Sequence, residues 1–590
     1  MERVYSGHSK QLLVLIAAVI SIILWLLSLF YSYTEFQNTR LDDPLAELNS
    51  LVPLYYIAIG LLALACVGCL FWCRRHRLLH IGLLLVLACM LWLTPYIITG
   101  FVRLPDGPWH VGSAVRIADT LEGIPVPASG YAWNYPGSFI YHNYFLDLLG
   151  VEPLTYIYFF PFLCTFLLVL LLYSLFTRLF DSRTAFLSLL IAFPGLHYLQ
   201  LHASPHTIGA LLMLTMLVLL ATRSSPVKVM PTALILLLII VVVHPITPLL
   251  IASFLGAALL VGLVYARGID RRRLALAGLL VICLAVWFAW FYSLGDTPRS
   301  RAGIPDVEAL TPYGLGIFSN LTDELQVVGG FLTGTRFIYG NIFALNKGIY
   351  FLYAALGVLA ILYRAADSYL KRSSIGRWLT QFAGLRKNEA LLAVSVVPLI
   401  ALAYMLGEGA YDLIETGLTY AIIALSGLLA SVVIRTKLQN IQALRLGAGV
   451  LVVLLVLLVL SYPVIAYSID AYSNFPYSEK KGLQFLTQNG ALEGKTLMST
   501  NTSQIVLYIR PEQYNVRLLK FQPRYAPIQS GEGIDLIVFR NTGYYYSAMR
   551  YSFSFDDNYY NDCLKEVQDE TYNKVYSSPT TTLYVDSEIT

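Results

Sequence analysis

The sequence predicts an α-helical polytopic membrane protein with about thirteen transmembrane helices and an extracytoplasmic C-terminal α/β domain. Three observations predict it. Of 590 residues, 57% are hydrophobic and only 13% are charged, with a mean hydropathy of +0.64; an average soluble chain is about 25% charged. The apolar residues gather in long uninterrupted stretches. The basic residues between those stretches lie overwhelmingly on alternate sides. Such a composition excludes a soluble globular or disordered chain. It also supplies no broad basic surface for a nucleic-acid groove, so no nucleic-acid partner is expected.

A helix needs roughly 20 apolar residues to cross about 30 Å of hydrocarbon. Thirteen stretches approach that length: 11–32, 53–73, 79–98, 156–176, 184–198, 206–222, 229–243, 246–266, 274–293, 344–363, 389–407, 418–434 and 446–468. Those at 184–198 and 229–243 are short and read as broken or re-entrant, so the count is open by two. With the N-terminus inside, the inner segments hold 22 Lys and Arg and the outer loops before residue 470 hold seven. Acids run the other way, seventeen outside and five inside. The positive-inside rule therefore gives N-in and C-out, a multi-pass plasma-membrane protein. The first stretch is too long for a signal-peptide core and no small-x-small site follows it, so it is expected to stay as an anchor.

The chain divides into a membrane domain, 1–469, and an outer domain, 470–590. Two long outer loops, 99–155 and 294–343, interrupt the first, and loops of that length are seldom without a role. In the tail, Ser478 to Asn489 reads as a capped helix. Residues 496–500, 505–509, 534–538 and 581–585 read as strands, being rich in β-branched and aromatic residues. Fourteen tyrosines in the tail suit carbohydrate stacking or ordinary interface packing, the second being the commoner use. The basic inner loop 364–388 suits a contact with anionic membrane lipid. Six of seven cysteines lie in apolar stretches and only Cys563 lies outside them, so no external disulfide forms within one chain. Cys66, Cys69 and Cys73 share a helix face, but a zinc site there would put thiolates in hydrocarbon with no fourth ligand.

The most informative stretch runs from Leu104 to Pro125. Pro108 suits the first position of a helix capped by Gly107 or Asp106. Val111, Val115, Ala118 and Leu121 then recur at helical spacing, an amphipathic pattern that can lie along the outer membrane face. Asp106 stands at the mouth of this helix and His110 one turn further on. A carboxylate at the lipid–water boundary near a positive helix end suits a general base that takes a proton from a hydroxyl. A helix cap with a neighbouring surface histidine accounts for the same spacing equally well. Aromatic and polar groups follow in Gly130-Tyr-Ala-Trp-Asn-Tyr-Pro-Gly-Ser-Phe-Ile-Tyr-His142.

This layout resembles the polytopic C-type glycosyltransferases (the GT-C superfamily), which include oligosaccharyltransferase catalytic subunits, protein mannosyltransferases and aminoarabinose transferases. Asp106-Gly-Pro-Trp-His110, Ile117-Ala-Asp-Thr-Leu-Glu-Gly-Ile-Pro125 and Asn134-Tyr-Pro-Gly137 resemble the family's Asp-x-x-x-His, "I…G.IP" and "YPPG" patterns. Ser204-Pro-His-Thr-Ile-Gly209 and Val243-His-Pro-Ile-Thr-Pro248 resemble elements of archaeal-type members. The resemblance implies a transferase that takes a sugar from a polyprenyl-phosphate (dolichyl-phosphate) donor and passes it to a glycan, lipid or protein acceptor in the cell envelope. Asp106 would be its catalytic base. Two departures stand out. The family's acidic loop follows its first span, whereas here it follows the third, and Asp42-Asp43 after the first span is the alternative acidic motif. Asp106 also lacks an adjacent acid. A divalent cation, Mg²⁺ or Mn²⁺, is the only cofactor the resemblance admits, and one carboxylate alone makes a poor site for it.

The expected substrate-binding residues are His110, Trp109, Tyr135, His142, His202, His206, His244 and Arg336. The histidines, together with His197, fall on or near the outer side. Singly each reads as a satisfied interfacial histidine; together they suggest a hydrated cavity opening outward that binds phosphate or carries a proton. Their spacings match no standard zinc ligand set. Arg336, at the end of a Gly-rich segment, suits bidentate contact with a lipid phosphate or an ion pair with Asp323 or Glu324. The alternative to an enzyme is a non-catalytic membrane protein, either a transporter of lipid-linked glycans or a scaffold for the outer domain.

Overall fold

In the computed structural model the described residues are 2–38, 46–73, 76–99, 106–121, 132, 134–196, 201–222, 226–265, 271–293, 352–363, 385–406, 411–435, most of 453–463, and five strands of the tail. The helices are α1 (Glu2–Asn38), α2 (Pro53–Trp72), α3 (Arg77–Thr99), α4 (Asp106–Leu121), α5 (Pro136–Leu149), α6 (Pro153–Leu179), α7 (Ser182–Ala192), α8 (Pro205–Leu220), α9 (Pro226–Val243), α10 (Thr247–Tyr265), α11 (Arg271–Ser293), α12 (Leu352–Tyr363), α13 (Lys387–Leu406) and α14 (Tyr411–Arg435). The architecture is that of a helical membrane protein. Among the described residues seven helices are long and apolar enough to cross a bilayer, α1, α2, α3, α6, α10, α11 and residues Gly417–Arg435 of α14. Three shorter apolar helices, within α8, α9 and α12, accompany them.

Exposure sorts these helices from rim to centre. Only 22% of the apolar window of α1 and 17% of that of α11 is buried, against 83% for α14. The bare faces of α1 and α11 carry Leu, Ile, Val and Phe, as a lipid-facing surface must. The centre is α14 packed on α13 and α7. Glu389 ties the beginning of α13 to the end of α14. Its Oε1 accepts from Arg435 Nη1 and from Ser431 Oγ, each at 2.8 Å, and its Oε2 accepts from the Arg386 N–H at 2.7 Å. Glu389 is fully buried, and each of these bonds joins the two helices or closes the first turn of its own.

Two irregularities break the regular helical pattern. α3 contains a π turn at Cys89–Leu93. Its loosened Met90 carbonyl accepts from both Tyr55 Oη, 2.8 Å, and Thr94 Oγ1, 2.7 Å, the kind of re-satisfaction that lets a helix bulge inside a bilayer. α7 has only 11 residues and ends in a 3₁₀ turn at Phe193–Gly195. At about 1.5 Å per residue it reaches roughly half of a 30 Å core. It is buried from Thr184 onward, and the Tyr353 hydroxyl donates to the Ile191 carbonyl near its end. The short stretch expected at 184–198 is thus a half-length helix sheathed by protein.

The tail carries a five-stranded mixed sheet in the order β2-β1-β3-β5-β4, with β1 Thr496–Ser499, β2 Arg517–Lys520, β3 Leu536–Arg540, β4 Tyr572–Ser577 and β5 Thr581–Asp586. β2, β1 and β3 run parallel; β5 pairs antiparallel with β3 and with β4. β1, β3 and β5 overlap segments that composition marks as strands. β2 and β4 carry no such mark. The expected strand 505–509 and helix 478–489 lie outside the described residues, as does Arg336 with the loop 294–343.

Candidate functional site

The described part of the loop after α3 supplies two helices, α4 and α5. α4 begins at Asp106, two residues before the start that Pro108 suggests. Its inward face is Val111, Ala114 and Ile117, at 0%, 1% and 3% exposure. Ala114 and Ile117 pack on Ala132 and Phe139. This buried face shares Val111 with the expected stripe of Val111, Val115, Ala118 and Leu121, and it packs against α5. α5, entered through Tyr135 and stopped by Gly150 at φ 60°, buries Ser138, Phe139, His142 and Leu146 and exposes Ile140, Tyr144, Leu148 and Leu149. Trp290 and Trp287 of α11 brace this layer, donating to the Asn134 carbonyl at 3.0 Å and the Pro245 carbonyl at 2.7 Å.

Glycine sets how closely the helix ends approach. A Cβ on Gly107 would stand 3.3 Å from Ile157 Cγ2 and 4.0 Å from His202 Cδ2, so the first turn of α4 lies against the segment that leads into α8. A Cβ on Gly137 would meet Val243 Cγ2 at 2.9 Å and the Val242 carbonyl at 3.1 Å, which seats the start of α5 on the end of α9. The beginnings of α4, α5, α8 and α10 are thereby gathered in one region.

The histidines meet there. His110 stacks on His202 with ring centres 6.4 Å apart and tilts against Phe139 at 5.7 Å. His142 is fully buried. Its Nδ1 bonds the Tyr156 hydroxyl at 2.8 Å, and its ring lies edge-on to Tyr156 and Phe160. Its Nε2 has no hydrogen-bond partner among the described residues, nor has the buried hydroxyl of Ser138 one turn earlier on the same face. His206 and His244 lie 5.5 Å apart. His244 Nδ1 is 2.9 Å from Thr247 Oγ1 and accepts the Thr247 backbone N–H at 3.3 Å. That fixes Nδ1 as an acceptor and puts the proton of the neutral ring on Nε2.

Burial, and behind it His202, His142 and His244, holds His110 well below the ordinary histidine range. Burial and then His202 push His142 down to about 3. Burial and then His206 lower His244 in the same way. His110, His142 and His244 are thus held toward the neutral form, first by burial and then by neighbouring imidazoles. Burial also lifts the Tyr135 phenol to about 12, so Tyr135 serves as a hydrogen-bonding group and not as a base.

Of the residues singled out from the sequence, the structure brings together His110, His142, His202, His206 and His244, with Tyr135 at the entry to α5. The backbone places Asp106 at the start of α4; its side chain and that of Trp109 lie outside the described residues, as do His197 and Arg336. Sequence reasoning misses Tyr156, Ser138 and Tyr420. Tyr420, within α14, lies 6.4 Å from the His206 ring, and nothing in its own apolar surroundings marks it. Thr247 carries a signal, because it sits in the Val243-His-Pro-Ile-Thr-Pro248 stretch.

Among the described residues no group of three or more His, Cys, Asp or Glu side chains is placed to hold a metal ion. No family model matches the chain, and no curated protein matches it. Among solved structures it is similar to the crystal structure of the Archaeoglobus fulgidus oligosaccharyltransferase in complex with Zn and sulfate, over 86% of this chain and 73% of that one, at 16% identity and a TM-score of 0.44.

Proposed function

We propose that this protein is an integral-membrane glycosyltransferase of the plasma membrane. It transfers a sugar from a polyprenyl-phosphate-linked donor to a glycan, lipid or protein acceptor at the extracytoplasmic face. One observation carries the reading: the first turn of α4, headed by Asp106, rests against His202, and His110 one turn on stacks over the same ring. The acid of the Asp-x-x-x-His pattern thus heads a helix that leans on a buried group of imidazoles.

In the proposed reaction the acceptor hydroxyl attacks the anomeric carbon. The new carbon–oxygen bond forms as the bond from that carbon to the phosphate oxygen breaks, and the bonding pair leaves with the carrier phosphate. The hydroxyl proton passes to the Asp106 carboxylate. The leaving phosphate gains a negative charge as the bond breaks, and donors already aimed at that charge lower the barrier; the histidines, and Arg336 from the outer loop, are the groups assigned to it. Attack from the face opposite the phosphate inverts the anomeric centre. The many helices serve a donor whose long hydrocarbon must reach the site from within the lipid.

The test is Asp106→Asn in the full-length protein. It keeps the shape of the side chain and removes its basicity, so release of free polyprenyl phosphate from sugar-charged carriers is expected to cease. Insertion and helix content should remain. Turnover by the variant at the wild-type rate overturns the assignment.

A further inference from the structure

The proposed reaction gives Tyr420 no part, yet Tyr420 is the least expected member of the histidine region. It is 1% exposed, and its hydroxyl has no hydrogen-bond partner among the described residues. A buried hydroxyl left without a partner is destabilising, because its desolvation is not repaid. Its ring stands edge-on to His206, which lies 5.5 Å from His244. α8 and α10, of 16 and 19 residues, both begin at this place, and each brings the positive end of its dipole. Among their first amides, Thr207 N–H already donates to Ser204 Oγ and Thr247 N–H to His244 Nδ1. A ligand is therefore met chiefly by side chains.

The side chains gathered here carry donors: His244 presents its proton on Nε2 and Tyr420 has an O–H, with the His206 ring beside both. Of the titratable groups on the surrounding elements, His110 on α4 interacts with His244, and His202 and His142 interact with His110 in turn; the backbone of Asp106 begins α4. Gly209 lets α8 lie close against the start of α10, since a Cβ there would meet Thr247 Oγ1 at 2.7 Å and His244 Cβ at 3.2 Å. Hydrogen-bond donors grouped at two helix beginnings suit a tetrahedral oxyanion.

We propose that His206, His244 and Tyr420 form a cradle for a phosphate group, and that entry of the phosphate is coupled to uptake of a proton by the histidine pair. The inference rests on the proposed function in taking the carrier's phosphate as the physiological occupant, and it separates leaving-group binding from the acid–base work of Asp106. The negative charge of an arriving anion favours the imidazolium form of a ring beside it, so a proton moves from solvent to a ring nitrogen. The charge of the bound phosphate is then met before the sugar bond breaks.

The experiment is titration calorimetry on the full-length protein in a phosphate-free detergent at neutral pH, in two buffers of different ionisation enthalpy. Farnesyl phosphate and inorganic phosphate are the two probes. Wild-type protein is expected to bind with net proton uptake. A large preference for farnesyl phosphate marks a lipid headgroup as the occupant, and equal affinities mark free phosphate; either outcome supports the cradle. Tyr420→Phe, which removes one oxygen and preserves packing, should weaken binding about tenfold or more. His206→Gln with His244→Gln should abolish the proton uptake. Unchanged affinity in Tyr420→Phe together with unchanged uptake in the double variant overturns the cradle, as does failure of the wild-type protein to bind either probe. Carrier release from sugar-charged donors, measured in parallel, keeps the two readings apart. Wild-type release with no cradle defeats this inference alone, and a working cradle with no release from any donor defeats the proposed function alone.

Discussion

His142 Nδ1 lies 2.8 Å from the Tyr156 hydroxyl, and that bond pins the outer-loop helix α5 to the first turn of α6. It is a bond between neutral partners inside a dry environment, where such bonds are strong and an added charge is costly. The outer layer therefore has its stability linked to the protonation of an imidazole.

The sign of that link comes from the direction of the shift. His142 is pushed from an ordinary 6.5 down to about 3, so below pH 6.5 the unfolded chain binds a proton that the folded chain refuses. Stability is full above that point and falls as pH drops toward 3, by up to about 1.4 kcal/mol per unit. Thermal unfolding between pH 7 and 4 should show the decline, and His142→Phe should flatten it in part, His110 being depressed in the same direction. An unchanged pH profile in the variant refutes the link.

Two glycines give opposite outcomes for one substitution. Gly209→Ala forces its new methyl group into Thr247 Oγ1 and His244 Cβ; overpacking of this kind costs about 1–3 kcal/mol. Gly256→Ala places the same methyl in open space, with nothing within 4 Å, and should gain up to about 1 kcal/mol from helix propensity. Melting temperatures of the two variants in one detergent check the contrast. Similar shifts in both would mean that α8 and α10 are not in the close contact described.

The Glu389 bonds predict an asymmetric response. Arg435→Leu leaves a buried carboxylate without its cation and should cost about 3–5 kcal/mol. Glu389→Leu paired with Arg435→Leu removes both charges and should recover most of that loss. A double variant as unstable as the single one would show that the network contributes by some route other than charge.

Cys563 tests the orientation. It is the only cysteine in the tail, and the other six are free thiols in the helical body, five of them buried and Cys89 partly so. A membrane-impermeant maleimide should label intact cells at Cys563, and Cys563→Ser should remove that label. Labelling that appears only after permeabilisation would reverse the C-out assignment.

Much of the helical body is legible because hydrocarbon demands long apolar stretches and charge bias marks their ends. The gathering of the histidines is legible too, because His110, His202, His206 and His244 sit in short polar segments between apolar ones. Tyr420 is not, since one tyrosine in a run of Ala, Ile and Leu looks like packing until a neighbour from a distant helix is known. The packing of α4 on α5 is not legible for a related reason. Its periodicity is the same whether lipid or protein covers it, and only α5, whose aromatic sequence carries no clear helical signal, decides between them. β4 escapes notice because Tyr-Asn-Lys-Val-Tyr-Ser alternates weakly, and pairing with β5 supplies what local preference lacks.

The brevity of α7 has a consequence for the molecule that the proposed enzyme would serve. A chain that stops being helical midway through a bilayer must find partners for its peptide groups in surrounding protein or in admitted water, never in oil. The Tyr353 hydroxyl meets the Ile191 carbonyl near the end of α7, and Ser204 Oγ accepts the Thr207 N–H at the start of α8, so both described helix ends have protein partners, and the carrier of the proposed reaction would meet them already satisfied.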